Sequence, residues 1–329
     1  MFRSRCACIA LRFAVVGSAA CTFTYGIMAH VGSAASSDPA LDEVETWFRS
    51  RPEYADRFRR CVRSAIDEII DTARTGRYSL DEVNTQEKAY LGTKIEVVIR
   101  AEFDLPYPGR GKKDYLVEGH EVDCKWSIKW GGWEIPTEQY GHLCLLVHGR
   151  DESSEIAVGL IRTIAEYVNP GRNKDSKAGI AAAQRDAHTR WLIPRSATLP
   201  VNFLLHLPGI DREAILSQRG GVARAYELYR RCEGIIISRR VMEAVGQQRD
   251  DSRRYRGGRG GVRELLVIDG YEVLNGTWLK DRERAAELGG PVPSKGESVC
   301  LHVDGQSGTR SAGKSQADRP PLTLFPLAP

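Results

Sequence analysis

The sequence predicts an α/β domain, with helices flanking a small mixed sheet, followed by a basic helix-turn-helix domain. Three observations predict it. The chain has 329 residues, more than one typical domain of roughly 100–200. Apolar residues recur at helical spacing up to residue 103, alternate or run as short strands from 115 to 147, and return to helical spacing after residue 200. Charge is also segregated: residues 212–263 hold thirteen arginines, no lysine and six acids, an excess of +7 in a chain of net charge +4, so the rest sums to −3. Such a stretch points to a polyanion-binding face on the second half.

The elements follow in order. Arg3, Arg5 and Arg12 precede a run from 13 to 37 that lacks Lys, Arg, Asp and Glu and ends in small residues. That pattern is signal-like, but Gly, Ser, Thr and His30 dilute it too far for a permanent span. The favoured reading is a start codon placed too early, near a true start at Met28 or Val31. This implies a cytoplasmic protein with no stable membrane association, and the signal-like segment is the competing reading. The eight cysteines (Cys6, Cys8, Cys21, Cys61, Cys124, Cys144, Cys232 and Cys300) form no CxxC pair or zinc spacing, as in reduced, buried thiols.

A helical pattern runs from Leu41 to Ile70 and stops at Gly76. A second helix opens at Asn84, with Glu87 placed for a capping box. Two short strands, 115–118 and 120–126, flank Gly119. Residues 143–147 read as a strand, and 156–168 as a strand leading into a helix. The boundaries expected are 1–37 outside the fold, 38–190 for the first domain, 191–199 as linker, 200–304 for the second domain, and 305–329 as a disordered Gly/Ser/Arg/Pro tail. In the second domain, 222–232, a turn at Glu233-Gly234 and a helix from Arg239 capped by Ser238 make the helix-turn-helix pattern. Strands at 265–268 and 271–274 around Asp269-Gly270 predict a hairpin, read as a wing.

The chemistry concentrates in His120-Glu-Val-Asp-Cys-Lys-Trp126. On a strand Asp123 and Lys125 share a face, with Cys124 opposite. Asp114 sits at the mouth of the preceding strand. Two carboxylates beside an ammonium suit metal-assisted phosphodiester hydrolysis: oxygens hold a hard cation such as Mg2+, and the lysine orients or deprotonates the water, or stabilises developing charge. By itself, an Asp-x-Lys on a strand reads as a solvated face with a cross-strand ion pair. Glu96 changes the balance, because its helical neighbours Gly92, Ile99 and Phe103 put it beside an apolar stripe, where a carboxylate needs a partner; Arg100 is one candidate and a shared metal another. A helical Glu, then Asp, then Asp-x-Lys is the PD-(D/E)xK nuclease arrangement.

Beyond that motif, the chain resembles the NaeI family of restriction endonucleases over most of residues 40–305. The resemblance is carried by Arg74-Thr-Gly-Arg77, Gly92-Thr-Lys-Ile-Glu96, Asp114-Tyr115, Val122-Asp-Cys-Lys125, Gly141-His-Leu-Cys144, Leu204-Leu-His-Leu-Pro-Gly209 and Pro291-Val-Pro-Ser-Lys-Gly296. It implies a PD-(D/E)xK restriction-endonuclease-like domain followed by a winged-helix, CAP-like domain. It also implies a homodimeric type II enzyme that cuts double-stranded DNA with Mg2+ at a GC-rich palindrome. A second DNA copy would be the effector and a DNA methyltransferase the genetic partner. The family's catalytic positions fall on Glu96, Asp114, Asp123 and Lys125, the three acids being the metal ligands. Lys113 precedes Asp114 where the motif's name has proline, a position this family does not use.

Lys129, Arg239, Arg240, Arg253, Arg254, Arg256 and Arg259 are candidate DNA contacts. Trp126, Trp130 and Trp133 either touch DNA or pack as core. Residues 257–261 lack the Lys-Ser/Thr of a phosphate-binding loop and read as a flexible basic loop. The competing function is a DNA-binding regulator with an idle nuclease-like domain.

Overall fold

The computed structural model describes residues 38–173, 175–247 and 260–303. The expected segment 1–37, tail 305–329 and arginines 253, 254, 256 and 259 lie outside the described residues. So does most of the basic glycine loop, of which only 260 and 261 are described.

The first helical run is two helices, α1 (Pro39–Arg49) and α2 (Tyr54–Ile70), separated where Glu53 takes a φ of 50°. Leu41, Val44 and Phe48 of α1 meet Phe58, Val62 and Ile66 of α2 in one core. A single turn, α3 (Thr72–Thr75), ends at Gly76 with φ 74°, a conformation glycine adopts without strain. The capping box predicted for α4 (Thr85–Glu102) is present: Asn84 accepts from Glu87 N, and the Glu87 carboxylate accepts from Asn84 N. That carboxylate also takes two hydrogen bonds from Arg77, at 2.9 and 3.1 Å, while Arg77 donates to the carbonyls of Ile69 and Ile70. One arginine thereby satisfies the end of α2 and fixes the start of α4.

Five strands make the main sheet. β1 (Tyr115–Val117) and β2 (His120–Ser127) form the predicted hairpin, turning through Glu118 and Gly119, both at positive φ. After the short β3 (Glu134–Ile135) come β4 (Leu143–Arg150) and β5 (Glu155–Arg162), then β6 (Ala178–Gly179), α5 (Ala182–His188) and β7 (Arg190–Thr198). The sheet order is β1-β2-β4-β5-β7, with β2 and β4 parallel and the other pairs antiparallel. Val122, Cys124, Leu145 and Val147 face the α1/α2/α4 layer. Cys144, Leu146 and Ile161 face Trp133, Ile135 and Ile180. Burial on both faces explains why β4 and β5 read as unbroken apolar runs.

Two expectations for this half fail. Residues 191–199 are not a linker: 190–198 form edge strand β7 on β5, with Ile193 buried. After β5 the chain forms a 3-10 turn at Ala165–Tyr167 instead of an α-helix. Consistent with the first point, the described residues from Pro39 onward form one compact unit with no division near 190. A buried polar knot joins its halves. Asp151, in the β4–β5 turn, pairs with Arg63 of α2 and accepts from Asn202 Nδ2 at 2.8 Å, and its carbonyl contacts His206 Nε2 at 3.2 Å.

A separate core organises the C-terminal half. Its elements are α6 (Phe203–His206), α7 (Gly209–Leu216), α8 (Gly221–Arg231), β8 (Ile237–Ser238) and α9 (Arg239–Gly246), then α10 (Val262–Ile268), β9 (Tyr271–Asn275), α11 (Leu279–Glu287) and β10 (Glu297–His302). Ser238 caps α9 as predicted, accepting from Val241 N at 3.3 Å. The helix-turn-helix expectation is altered by β8, which lies between α8 and α9 and pairs with β10. The resulting sheet order is β8-β10-β9, antiparallel. The hairpin expected at Asp269-Gly270 is absent. Residues 262–268 are helical, and Gly270, at φ 84°, turns the chain into β9. Val262 and Leu266, four residues apart, are both fully buried, so a helical period overrides the β-propensity of the Leu-Leu-Val-Ile run.

Candidate active site

The hairpin and α4 bring Glu96, Asp114, Asp123 and Lys125 to one edge of the sheet. Pleating puts Asp123 and Lys125 on one face of β2 and buries Cys124 on the other, as the sequence predicts. Asp123 is 8% exposed and forms a close ion pair with Lys125 Nζ through Oδ2. Apart from that contact Oδ2 is sealed from solvent and has no hydrogen bond. Asp114 is held from behind, its Oδ2 accepting from Cys124 N at 2.7 Å.

The acids perturb one another. Burial raises the Glu96 carboxyl to about 7, and the charge of Asp114, then of Asp123, adds to the rise against the opposing effect of Lys125. Burial also raises Asp114, partly offset by the Cys124 N–H and reinforced by Asp123. For Lys125 burial is the largest single effect and acts downward, but the charge and hydrogen bond of Asp123, with Cys144 and Asp114, together hold the ammonium above its usual range. Lys125 is therefore a fixed cation at neutral pH. Arg100, the alternative partner for Glu96, contributes least among these charges and lies over the Tyr107 ring at 5.2 Å.

Among the described residues no three Asp, Glu, His or Cys side chains stand together closely enough to clasp one metal ion. The donor set still fits a hard divalent cation: every candidate ligand is a carboxylate oxygen, and the acids repel one another.

The sequence alone gave no role to two neighbours. Lys113 donates to Gln139 Oε1 at 2.6 Å and to Glu138 O at 3.2 Å, and Gln139 is 1% exposed. This pair pins the loop entering Asp114 from a segment 26 residues away, a separation that no local motif reveals.

The tryptophans are mainly structural. Trp133 is fully buried and donates to Val147 O at 2.9 Å, and Trp126 packs on the helical core. Trp130 stacks on Trp191 at 5.4 Å, with Arg195 over its ring at 4.7 Å. Lys129 is exposed beside them. Arg239 pairs with Glu243 at 2.8 Å. Arg240 reaches across to α2, contacting Asp67 Oδ2 at 3.3 Å and Ser64 Oγ at 3.1 Å.

The family profile described as "Restriction endonuclease NaeI" matches residues 44–315. The chain belongs to the NaeI restriction endonuclease family. It is 35% identical over 276 residues to the type II restriction enzyme NaeI of Lentzea aerocolonigenes, covering 82% of this chain and 85% of that protein. As a NaeI-type restriction endonuclease it is a site-specific DNA nuclease, which sets aside the regulator with an idle nuclease-like domain. The family match starts beyond residue 37 and runs past the boundary expected at 304. No described helix is long and apolar enough to cross a membrane.

Proposed function

We propose that the chain is a homodimeric, Mg2+-dependent type II endonuclease that hydrolyses phosphodiester bonds at a GC-rich palindrome, with a second DNA copy as effector. Glu96, Asp114, Asp123 and Lys125 are its catalytic set. The observation that carries the site is the convergence of three mutually repelling carboxylates on a lysine held cationic at a sheet edge.

Glu96, Asp114 and Asp123 would hold the cation, which when bound stabilises charge on the phosphate and activates water. The protein's own groups account for the rest. Lys125, kept protonated by Asp123, stabilises negative charge developing on the phosphate instead of accepting a proton. The Cys124 N–H fixes one oxygen of Asp114 and leaves the other free to turn toward the site.

The C-terminal half is proposed to be a winged-helix DNA-binding domain. Support comes from helices α8, α9 and α10 arranged with an antiparallel sheet of order β8-β10-β9. In that layout α10 occupies the place of the groove-entering helix, although its sequence, Val262-Arg-Glu-Leu-Leu-Val-Ile268, carries a single arginine. The arginine-rich residues 249–259 directly before it, including Arg253, Arg254, Arg256 and Arg259, supply the positive charge.

Incubating unmethylated plasmid with the protein and Mg2+, beside an Asp123→Ala control, tests the proposal. Discrete fragments lost in the control are expected. Retained gel-shift binding with no cleavage by the unsubstituted protein would sink it.

A further inference from the structure

Three segments converge on the acidic cluster, and each contributes one more group directly behind it. α4 carries Glu96 and offers that residue's own carbonyl. β1 follows Asp114 with Tyr115, and β2 follows Asp123 with Cys124. The Tyr115 hydroxyl donates to Glu96 O at 3.2 Å. The Tyr115 ring is fully buried and Cys124 is 2% exposed. On the other side, the Cys124 N–H of β2 donates to Asp114 Oδ2, next to Tyr115 in the chain.

An apolar ring would fill this space without a polar atom to satisfy, so the hydroxyl's distinct contribution is the connection it makes. Carboxylates brought to one point repel each other, so the cluster needs a restraint of this kind. We propose that Tyr115 is a positioning residue whose hydroxyl ties α4 to β1, keeping Glu96 beside Asp114, which the Cys124 N–H in turn holds to the strand carrying Asp123, for the cation and the phosphate. The inference rests on the active-site reading above.

The test compares Tyr115→Phe with Asp123→Ala and with Tyr229→Phe in the full-length protein. Tyr229 is an equally buried tyrosine of the C-terminal core, its hydroxyl 2.7 Å from Ser298 Oγ. Three readouts are needed: Mn2+ affinity by calorimetry without DNA, single-turnover cleavage at saturating Mg2+, and DNA affinity by gel shift in Ca2+. Tyr115→Phe is expected to weaken Mn2+ binding about 10–100-fold and slow cleavage similarly, leaving DNA affinity unchanged. Tyr229→Phe is expected to move neither Mn2+ affinity nor cleavage. Mn2+ affinity and cleavage within twofold of the unsubstituted protein in Tyr115→Phe overturn the inference. So does Tyr229→Phe reproducing both losses, which would assign them to stability alone. If Asp123→Ala keeps both cleavage and Mn2+ binding, the active-site reading itself falls and takes the inference with it, whatever Tyr115→Phe does.

Discussion

Replacing Arg63 with methionine probes the junction between the two halves. Arg63 and Asp151 face each other with 8% and 1% of their side chains exposed. Arg63 also reaches Asp67 at 2.6 Å, whereas Asp151 has no second cation and is left with Asn202 Nδ2 at 2.8 Å. The pair is thus asymmetric, and removing the arginine strands a buried anion. Breaking such a pair costs about 3–5 kcal/mol. For a unit of this size that lowers Tm by roughly 6–15 °C. Asp151→Ala costs less, because Arg63 keeps Asp67. Arg63→Met combined with Asp151→Leu regains much of the loss, since an apolar pair carries no stranded charge. Differential scanning calorimetry of the four proteins checks this. A fall below 2 °C in Arg63→Met, or a double variant no more stable than the single one, would refute the reasoning.

Three further outcomes are expected. Lys125→Met slows cleavage by about 10²–10³ while gel-shift affinity stays within a few-fold, as for removal of one charge-stabilising donor; a variant that cleaves at the original rate counts against the role. Gly159→Ala brings a methyl group onto Thr189 Cγ2 and to 2.7 Å from Trp191 Cε3, so chemical denaturation should report a loss of about 1–3 kcal/mol. Burial lowers the pKa of His148, against its hydrogen bond to Ser127 O. The stability this neutral form contributes is complete above the unfolded value near 6.5 and is lost as pH falls below it. A His148→Phe variant should therefore show a flatter acid limb in a Tm–pH series, and an unchanged limb contradicts the assignment.

Local rules read well where one segment decides its own structure. The Asn84–Glu87 box, the Glu118-Gly119 turn and the Ser238 cap are set by backbone groups within three residues. The alternation that pairs Asp123 with Lys125 depends only on strand pleating. What was misread depends on distant neighbours. Residues 190–198 carry Pro194 and Ser196 and look like a connector, yet their place is fixed by β5 beside them. The Asp269-Gly270 pair carries a hairpin signal, but Val262 and Leu266 find a core at helical spacing. At the site, spacing pointed to the four charged residues. It was silent on the Lys113–Gln139 pair and on the Tyr115 hydroxyl, whose partners are 26 and 19 residues away.

That β7 is a strand also bears on protein engineering. A nuclease module excised at residue 190 would lose its outermost strand and leave β5 as a long apolar edge, open to pairing with other copies. A chimera carrying a foreign DNA-reading module should be joined after residue 199. Even there, Asp151 would face the new graft without Asn202, so a transplanted domain has to bring its own amide donor to that position.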